Sequence, residues 1–268
     1  MMRFLPLEIV KEKAISLGFN DCGAAKVEQL PTSKFDEWIK KGYNANMNYL
    51  NNYHSQRFNP CELLEGAKTV FSFIISYNTE NQIEQYTHKI ASYAQGFDYH
   101  KVIKNKLYIL LEELKALYPD FQAKICVDTA PVMEKHWAVK AGLGWIGKNT
   151  CFISEKWGSK VFLAEIICNY ESDYTQEVRN QCGNCRKCIE SCPNQALNDQ
   201  ETGLDSNKCI SYQTIENKDS IPCEIKLNNY IYGCDICLNA CIRNIKAPKV
   251  KNEFSLTDRK STRLNSSH

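Results

Sequence analysis

The sequence has little excess charge of either sign and no long hydrophobic run. Its 33 Lys and Arg against 31 Asp and Glu leave a formal net charge of +2 over 268 residues. Bulk attraction to nucleic acid or to an acidic surface is therefore excluded as an organising force, and any such contact must be a local patch. No stretch reaches the roughly 18 consecutive apolar residues that a membrane helix needs. The opening "MMRFLPLEIVKEKAISLGF" has neither the apolar core nor the small-residue cleavage site of a secretory signal. Leu7, Val10, Ala14 and Leu17 recur there at helical spacing and predict an amphipathic helix instead. A cytoplasmic protein with no membrane contact is expected. Histidine is scarce, at five residues. His136, beside Trp137, is expected to pack, and His54 and His88 to lie at the surface. Nucleotide-binding glycine loops are missing too. "GLGWIGKN" (142–149) is neither G-x-G-x-x-G after a strand nor a Walker loop, so its glycines say only that backbone comes close to something.

Against these absences stand 14 cysteines. In a chain of this size with no export signal, thiols stay reduced, and metal or redox chemistry is the better reading than disulfides. Cys22, Cys61, Cys126, Cys151, Cys168 and Cys223 are scattered among mostly apolar neighbours and are expected to be buried as small hydrophobes. The other eight are patterned.

The chain up to about residue 175 alternates helix and strand signals. "TVFSFIISY" (69–77) predicts a buried strand, and residues 98–117, with Ile103, Leu107, Leu110, Leu114 and Leu117, a helix. "AKICVDTA" (123–130) predicts a second strand. A helix should follow, with Pro131 in its first turn and Gly142 at its stop. Residues 151–168 predict two strands around a Trp-Gly-Ser turn. Three parts are expected: an α/β (α+β) catalytic domain over 1–175, a metal-organised module over 176–250, and a tail over 251–268. The tail is polar and is expected to be disordered. Its "STRLNSSH" resembles translated adapter sequence and is expected to be non-native.

"CGNCRKCIESCP" (182–193) places cysteines in the pattern C-x2-C-x2-C-x3-C-P. This is the bacterial ferredoxin run, in which the fourth cysteine ligates the other of two clusters. Thiolates are soft ligands suited to iron–sulfur cubes. Three on one tight turn reach one cube, and the next helical turn points the fourth away. The run therefore predicts a second set, and "GCDICLNAC" supplies Cys234, Cys237 and Cys241, with Cys209 as the displaced member. By the crossover rule Cys182, Cys185, Cys188 and Cys241 hold one 4Fe–4S cluster, and Cys192, Cys209, Cys234 and Cys237 hold the other. A zinc reading would need a lone four-cysteine site. Ile242 stands where a second proline is common.

What the clusters feed is suggested by "VDTAPVMEKHWAVKAGLGWIGKNT" (127–150). Asp128, at a strand end before a helix, reads either as a helix cap or as a proton donor with a pKa raised by a buried pocket. This stretch, followed in order by "GSKVFLAEI", the cysteine run, "KCISYQTIE" and "IYGCDICLNAC", resembles the epoxyqueuosine reductase (QueG) family. So do "NYLNNYHSQRFNPCELLEGAKTVFSFIISYN" and "SYAQGFDYHKVIKNKL" upstream, and the likeness spans about residues 1–255. The resemblance implies a cobalamin-binding, nitroreductase-like first domain and a ferredoxin-like module with two 4Fe–4S clusters. It implies reduction of epoxyqueuosine in a tRNA anticodon loop to queuosine, the last step of that modification. It implies Asp128 as the proton donor and Arg57 as a cofactor contact, with Tyr99, His100, Asp128, Ser154, Ser211 and Gln213 around the corrin. Its partners would be tRNA carrying epoxyqueuosine and an external electron donor, and the protein itself a monomer. For tRNA phosphates the candidates are Lys101, Lys104 and Lys106 on one helix, and Arg243, Lys246, Lys249 and Lys251 after the last cysteine. Two other readings compete: a different corrinoid and iron–sulfur reductase such as a reductive dehalogenase, and a plain ferredoxin-type electron carrier. The carrier reading leaves Asp128 and some 175 N-terminal residues unexplained.

Overall fold

The structure, a computed structural model, describes residues 3–79, 87–198, 203–250 and 254. Its centre is a four-stranded sheet in the order β1-β2-β7-β4, built from β1 (Asp21–Lys26), β2 (Thr69–Ser76), β4 (Ala123–Cys126) and β7 (Val161–Cys168). Every pairing in it is antiparallel. The expected α/β (α+β) mixture is thus realised in its α+β form. Asp128 still follows a strand end, but not the carboxyl edge of a parallel sheet.

All eight residues of β2 are buried, because helices cover both faces. Phe71, Phe73 and Ile75 face one core with α1 (Leu7–Ser16) and α4 (Tyr99–Leu117), where they meet Val10, Ala14, Ile103, Leu107, Leu110 and Leu114. Val70 and Ile74 face the other core, against Trp137, Ala138 and Ala141 at α5 (Glu134–Lys140). Fully burying a side chain such as Ile74 contributes on the order of 1.5–3 kcal/mol, so the apolar run of β2 is what fixes the sheet's centre. The two-residue period leaves Ser72 and Glu165, paired across β2 and β7, on the α5 side of the sheet.

Some expectations shift. The strand predicted over 123–130 stops at Cys126. The helix predicted to hold Pro131 in its first turn begins only at Glu134, because the segment between makes tight turns, Thr129 N–H to Val127 O at 2.5 Å and Val132 N–H to Ala130 O at 2.8 Å. Gly142, at φ +68°, does end α5. The glycines after it lie against the hairpin of β5 (Trp145–Ile146) and β6 (Phe152–Ile153): a Cβ on Gly144 would fall 2.1 Å from Ile153 O, and one on Gly147 2.5 Å from Ile153 Cδ1. The close approach read from "GLGWIGKN" is therefore to this hairpin.

Lys106 does not join Lys101 on a basic face. It lies one residue before Leu107 on the core side of α4, is 9% exposed, and gives its Nζ to Leu17 O. His136 is exposed, and its neighbour Trp137 does the packing at 0% exposure. Cys22, Cys126 and Cys168 are buried as small hydrophobes, burial pushing the thiols of Cys126 and Cys168 up to about 12. Cys151 is half-buried, while Cys61 and Cys223 are exposed, against expectation.

The cysteine-dense part consists of short elements: α6 (Lys187–Glu190), α7 (Ile210–Ile215), β8 (Tyr230–Tyr232), α8 (Ile236–Asn239) and α9 (Ile242–Lys246). It is tied to the preceding chain by specific polar contacts. Asp235, between two cysteines and buried, takes Ser92 N–H and Oγ–H at 2.6 and 2.5 Å. Asn244 accepts Ser159 N–H at 2.6 Å and donates to Ser159 Oγ at 2.7 Å. The short β3 (Lys89–Ile90) pairs in parallel with β8, and α2 (Ser33–Lys40) reaches across through Trp38 Nε1–H to Leu204 O at 2.6 Å. Of the tail expected to be disordered, Phe254 is described and buried, its ring 5.0 Å from that of Phe162; the remaining residues of 251–268 lie outside the described residues.

Candidate active site and cluster sites

Asp128 follows β4 with a left-handed backbone, φ +54°. Asp tolerates this conformation better than a branched residue does. It caps no helix: the residue preceding α5 is Met133. Instead its side chain, 57% exposed, meets the first turn of α4. Tyr99 OH donates to Asp128 Oδ2 at 3.1 Å, and His100 Nε2 lies 2.9 Å from the same oxygen. The other His100 nitrogen, Nδ1, is 3.0 Å from Asp98 Oδ1, and Asp98 also accepts His100 N–H at 3.0 Å as the cap of α4. Asp98, His100 and Asp128 thus form a line of three groups through which one proton can pass. The Tyr99 ring is fixed by stacking on Phe162 at 4.2 Å and on His100 at 3.9 Å. Burial, then the charge of Asp128, keeps the Tyr99 phenol protonated far above its ordinary value.

The burial expected around Asp128 falls on the carboxyls beneath it. Glu134, in the first turn of α5, accepts the Asp128 N–H through Oε1 and so holds the Asp128 backbone in place. Loss of water around it pushes its carboxyl up to about 7. Glu165 is 0% exposed, neither of its oxygens has a hydrogen-bond partner among the described residues, and burial and then the charge of Glu134 push it well above the carboxylate range. Burial thus favours the neutral form of Glu165. Sequence reasoning missed both. The available signal was a lone Glu inside "VFLAEIIC", a strand otherwise apolar on both faces.

Arg57 lies on α3 (His54–Phe58), its Nε buried without a hydrogen-bond partner among the described residues and its guanidinium 6.0 Å from the Phe35 ring. Burial lowers its pKa. An orphaned guanidinium nitrogen is an expensive group to bury, and an acceptor on a ligand would satisfy it. Tyr49 connects this region to Asp128, since burial, then Glu216 and then Asp128, raise its phenol while Arg57 opposes them. The remaining sequence candidates are occupied elsewhere. Ser154 is buried and its Oγ accepts Trp157 N–H at 3.3 Å in the β6 turn. The Gln213 amide spends its donor on Asn207 O and its acceptor on Asn217 Nδ2–H, both at 2.7 Å. Ser211 sits half-buried on α7, its carbonyl 3.4 Å from Thr214 Oγ1. So Tyr99, His100 and Asp128 come into direct contact, Arg57 shares their electrostatic surroundings, and Ser154, Ser211 and Gln213 make other hydrogen bonds.

The eight patterned cysteines are all only partly exposed. Cys182, Cys185, Cys188 and Cys241 line one open cleft, together with Trp145, Lys148, Lys187 and Arg243 among others. Burial raises the Cys188 thiol, and charge on Cys182, Cys241 and Cys185 adds to the rise. Burial likewise pushes Cys234 up to about 11, with Cys209 and Cys192 contributing, and raises Cys237, with Cys151, Cys234, Cys209 and Cys192 contributing. Ala196 N–H points at Cys192 Sγ at 3.3 Å, a donor suited to a thiolate. Cys151 also lies in reach of this second neighbourhood, and thiolates are donors suited to iron–sulfur cubes. Buried thiols with raised pKa must lose their protons on binding iron, so assembly releases protons.

Both the segment leading to Asp128 and the cysteine-dense segment match known families. Residues 57–129 match the family model described as epoxyqueuosine reductase QueG, DUF1730, and residues 181–244 match a 4Fe-4S double cluster binding domain. An epoxyqueuosine reductase of Leadbetterella byssophila is 41% identical over 250 residues, which cover 91% of this chain and 82% of that one. The chain belongs to the epoxyqueuosine reductase family. The solved structure of the family member from Streptococcus thermophilus superposes with a TM-score of 0.84 at 29% identity, covering 91% of this chain and 68% of that one. A crystal structure of an epoxyqueuosine reductase with a tRNA-TYR epoxyqueuosine-modified stem loop gives 0.83 at 28%, covering 92% and 67%. A reductive dehalogenase whose structure suggests a mechanism for B12-dependent dehalogenation shares the fold, with a TM-score of 0.55 at 13% identity, covering 87% of this chain and 31% of that one. Among the family's described residues here, no helix is long and apolar enough to cross a membrane.

Proposed function

We propose that this chain reduces epoxyqueuosine in the anticodon loop of tRNA to queuosine, with Asp128 as the proton donor. The observation that carries this is the convergence of Tyr99 and His100 on Asp128 Oδ2 in a chain of this family whose Cys182, Cys185, Cys188 and Cys241 line one cleft. The two sets would hold the two 4Fe–4S clusters, and Arg57 with the Tyr99, His100 and Asp128 group would face cobalamin. Bound cobalamin supplies low-potential electrons at cobalt. Opening and deoxygenating the epoxide consumes two electrons and two protons and releases its oxygen as water. The protein's task is to deliver those protons where negative charge grows on the departing oxygen. Asp128 gives up the proton from its carboxyl. His100, hydrogen-bonded to Asp128 on one side and Asp98 on the other, returns a proton to Oδ2 and is itself recharged from solvent, since its side chain is 30% exposed. Tyr99 OH fixes the carboxyl's orientation. We further propose that the protein works in the cytoplasm as a monomer, that residues 1–175 form the catalytic part and 176–250 the cluster part, and that an external donor provides the electrons.

Single-turnover conversion of an epoxyqueuosine-modified stem loop by reduced, cluster-loaded, cobalamin-bound protein tests the reading. Absence of queuosine under those conditions overturns it. The dehalogenase alternative has only the shared fold in its favour, and turnover of an aryl halide in place of the stem loop would establish it.

Glu134 is the positioning residue in this scheme. Glu134→Ala is expected to lower kcat about 10–100-fold, since a catalytic group displaced by an ångström costs this much. Glu134→Gln, whose amide oxygen still accepts the Asp128 N–H, should recover most of the rate. Equal loss in both variants would show that the hydrogen bond is not what matters.

The same carboxyl sets a pH dependence of stability. Its pKa is raised from the ordinary 4.5 to about 7, so the folded state holds a proton that the unfolded chain releases. The contribution is complete below about 4.5 and is lost as pH rises through about 7. The thermal midpoint should therefore fall on going from about pH 5.5 to 8, and Glu134→Gln should flatten that slope.

A further inference from the structure

The two thiol neighbourhoods are not equally placed. Cys182, Cys185, Cys188 and Cys241 line an open cleft whose rim carries Lys148, Lys187 and Arg243, with no carboxylate among its described lining residues. Arg243 is held over the Trp145 ring at 5.3 Å and donates to Gln181 Oε1 at 2.6 Å, so its charge is fixed at the rim. Immediately after Cys241, α9 exposes Ile242 (38%) and Ile245 (72%), three residues apart on one side of a short helix that also carries Arg243 and Lys246. At the other set, Asp235 beside Cys234 is 4% exposed and accepts both the N–H and the Oγ–H of Ser92, so the preceding chain covers that side.

We propose that the rim of this cleft, Ile242 and Ile245 ringed by Lys148, Lys187, Arg243 and Lys246, is the docking face for a small acidic one-electron carrier protein. The inference rests on the cluster assignment above and adds the route by which electrons enter. Transient electron-transfer interfaces are small, and complementary charge sets their encounter rate more than their affinity. Two exposed isoleucines next to a ligand cysteine supply a compact apolar centre, and the cations supply the steering. In each encounter one electron leaves the carrier and enters the outer cluster, with no bond made or broken. The exposed Ile242, where ferredoxin runs often have proline, becomes part of the contact.

The test uses anaerobic, cluster-loaded, cobalamin-bound protein and follows cluster bleaching after rapid mixing with either reduced flavodoxin or reduced methyl viologen. Ile245→Glu/Lys246→Glu should slow reduction by flavodoxin about tenfold or more at low salt and abolish most of its salt dependence. Reduction by the cationic viologen should be unchanged or faster. Lys187→Glu, on a different element, should show the same pattern in weaker form. Unchanged flavodoxin rates in variants with full iron content overturn the proposal. So does a loss confined to affinity for the modified stem loop, which would give the face to RNA instead. Iron and sulfide content of the parent protein is measured first: a protein that binds no iron overturns the cluster assignment itself, and the docking proposal with it.

Discussion

Asp128→Asn is expected to lower turnover of epoxyqueuosine-modified tRNA by about 10²–10⁴-fold, the range that general acid catalysis contributes. The amide preserves the size of the side chain, and the Asp128 N–H still reaches Glu134. With the amide oxygen at the Oδ2 position it can still accept from Tyr99 OH and from a His100 Nε2–H, so the loop geometry should persist. What disappears is a group that can release a proton to the departing oxygen and be reloaded from His100. Cluster absorbance, cobalamin retention on desalting and stem-loop affinity should stay near those of the parent. A loss of cobalamin together with activity would mean that Asp128 holds the cofactor rather than serving as the acid. His100→Gln should show a smaller loss, because solvent can still recharge a half-exposed carboxyl.

The second large effect concerns the crossover of ligands. Cys192→Ser is expected to remove about half of the bound iron and to leave the cluster of the Cys182 set intact. Cys241→Ser should also remove about half, but from the other cluster. Electron paramagnetic resonance of the reduced proteins should then show complementary single-cluster spectra in the two variants. Identical residual spectra would reject the crossover and place Cys192 with its sequence neighbours. The charge relations support the assignment: Cys209 is raised in part by Cys192, and Cys188 by Cys241, although these partners stand 17 and 53 residues apart in the chain. Both variants should be less stable than the parent, since cluster binding contributes to folding in modules with short helices and little core.

How much of this could be read from the chain depends on the range of the interactions. The helix with Ile103, Leu107, Leu110 and Leu114 and the apolar β2 strand are local patterns, and both stand where they were expected. The cysteine comb is also local, because ligand spacing on a turn is a matter of a few residues. Where the sequence reading went astray, a contact distant in sequence was responsible. Lys106 looked like part of a basic face but lies on the core side of its helix, with its amine on Leu17 O. The segment from Val127 to Met133 was expected as strand then helix, but Asp128 turns into the left-handed region with its N–H on Glu134. Asp128 was expected to be buried, and the burial belongs to Glu134 and Glu165 instead.

The sequence by itself determined the secondary-structure framework and the family and singled out the eight patterned cysteines, because each rests on the type and spacing of residues close together in the chain. Only the tertiary structure decided which titratable groups come close to one another, since Asp98, His100, Asp128, Glu134 and Glu165 come from four separate segments. It also decided which thiols face outward, because the depth of a cysteine depends on what the rest of the chain packs over it. Electrostatic shifts follow from desolvation and from neighbours in space, and neither is encoded in spacing along the backbone.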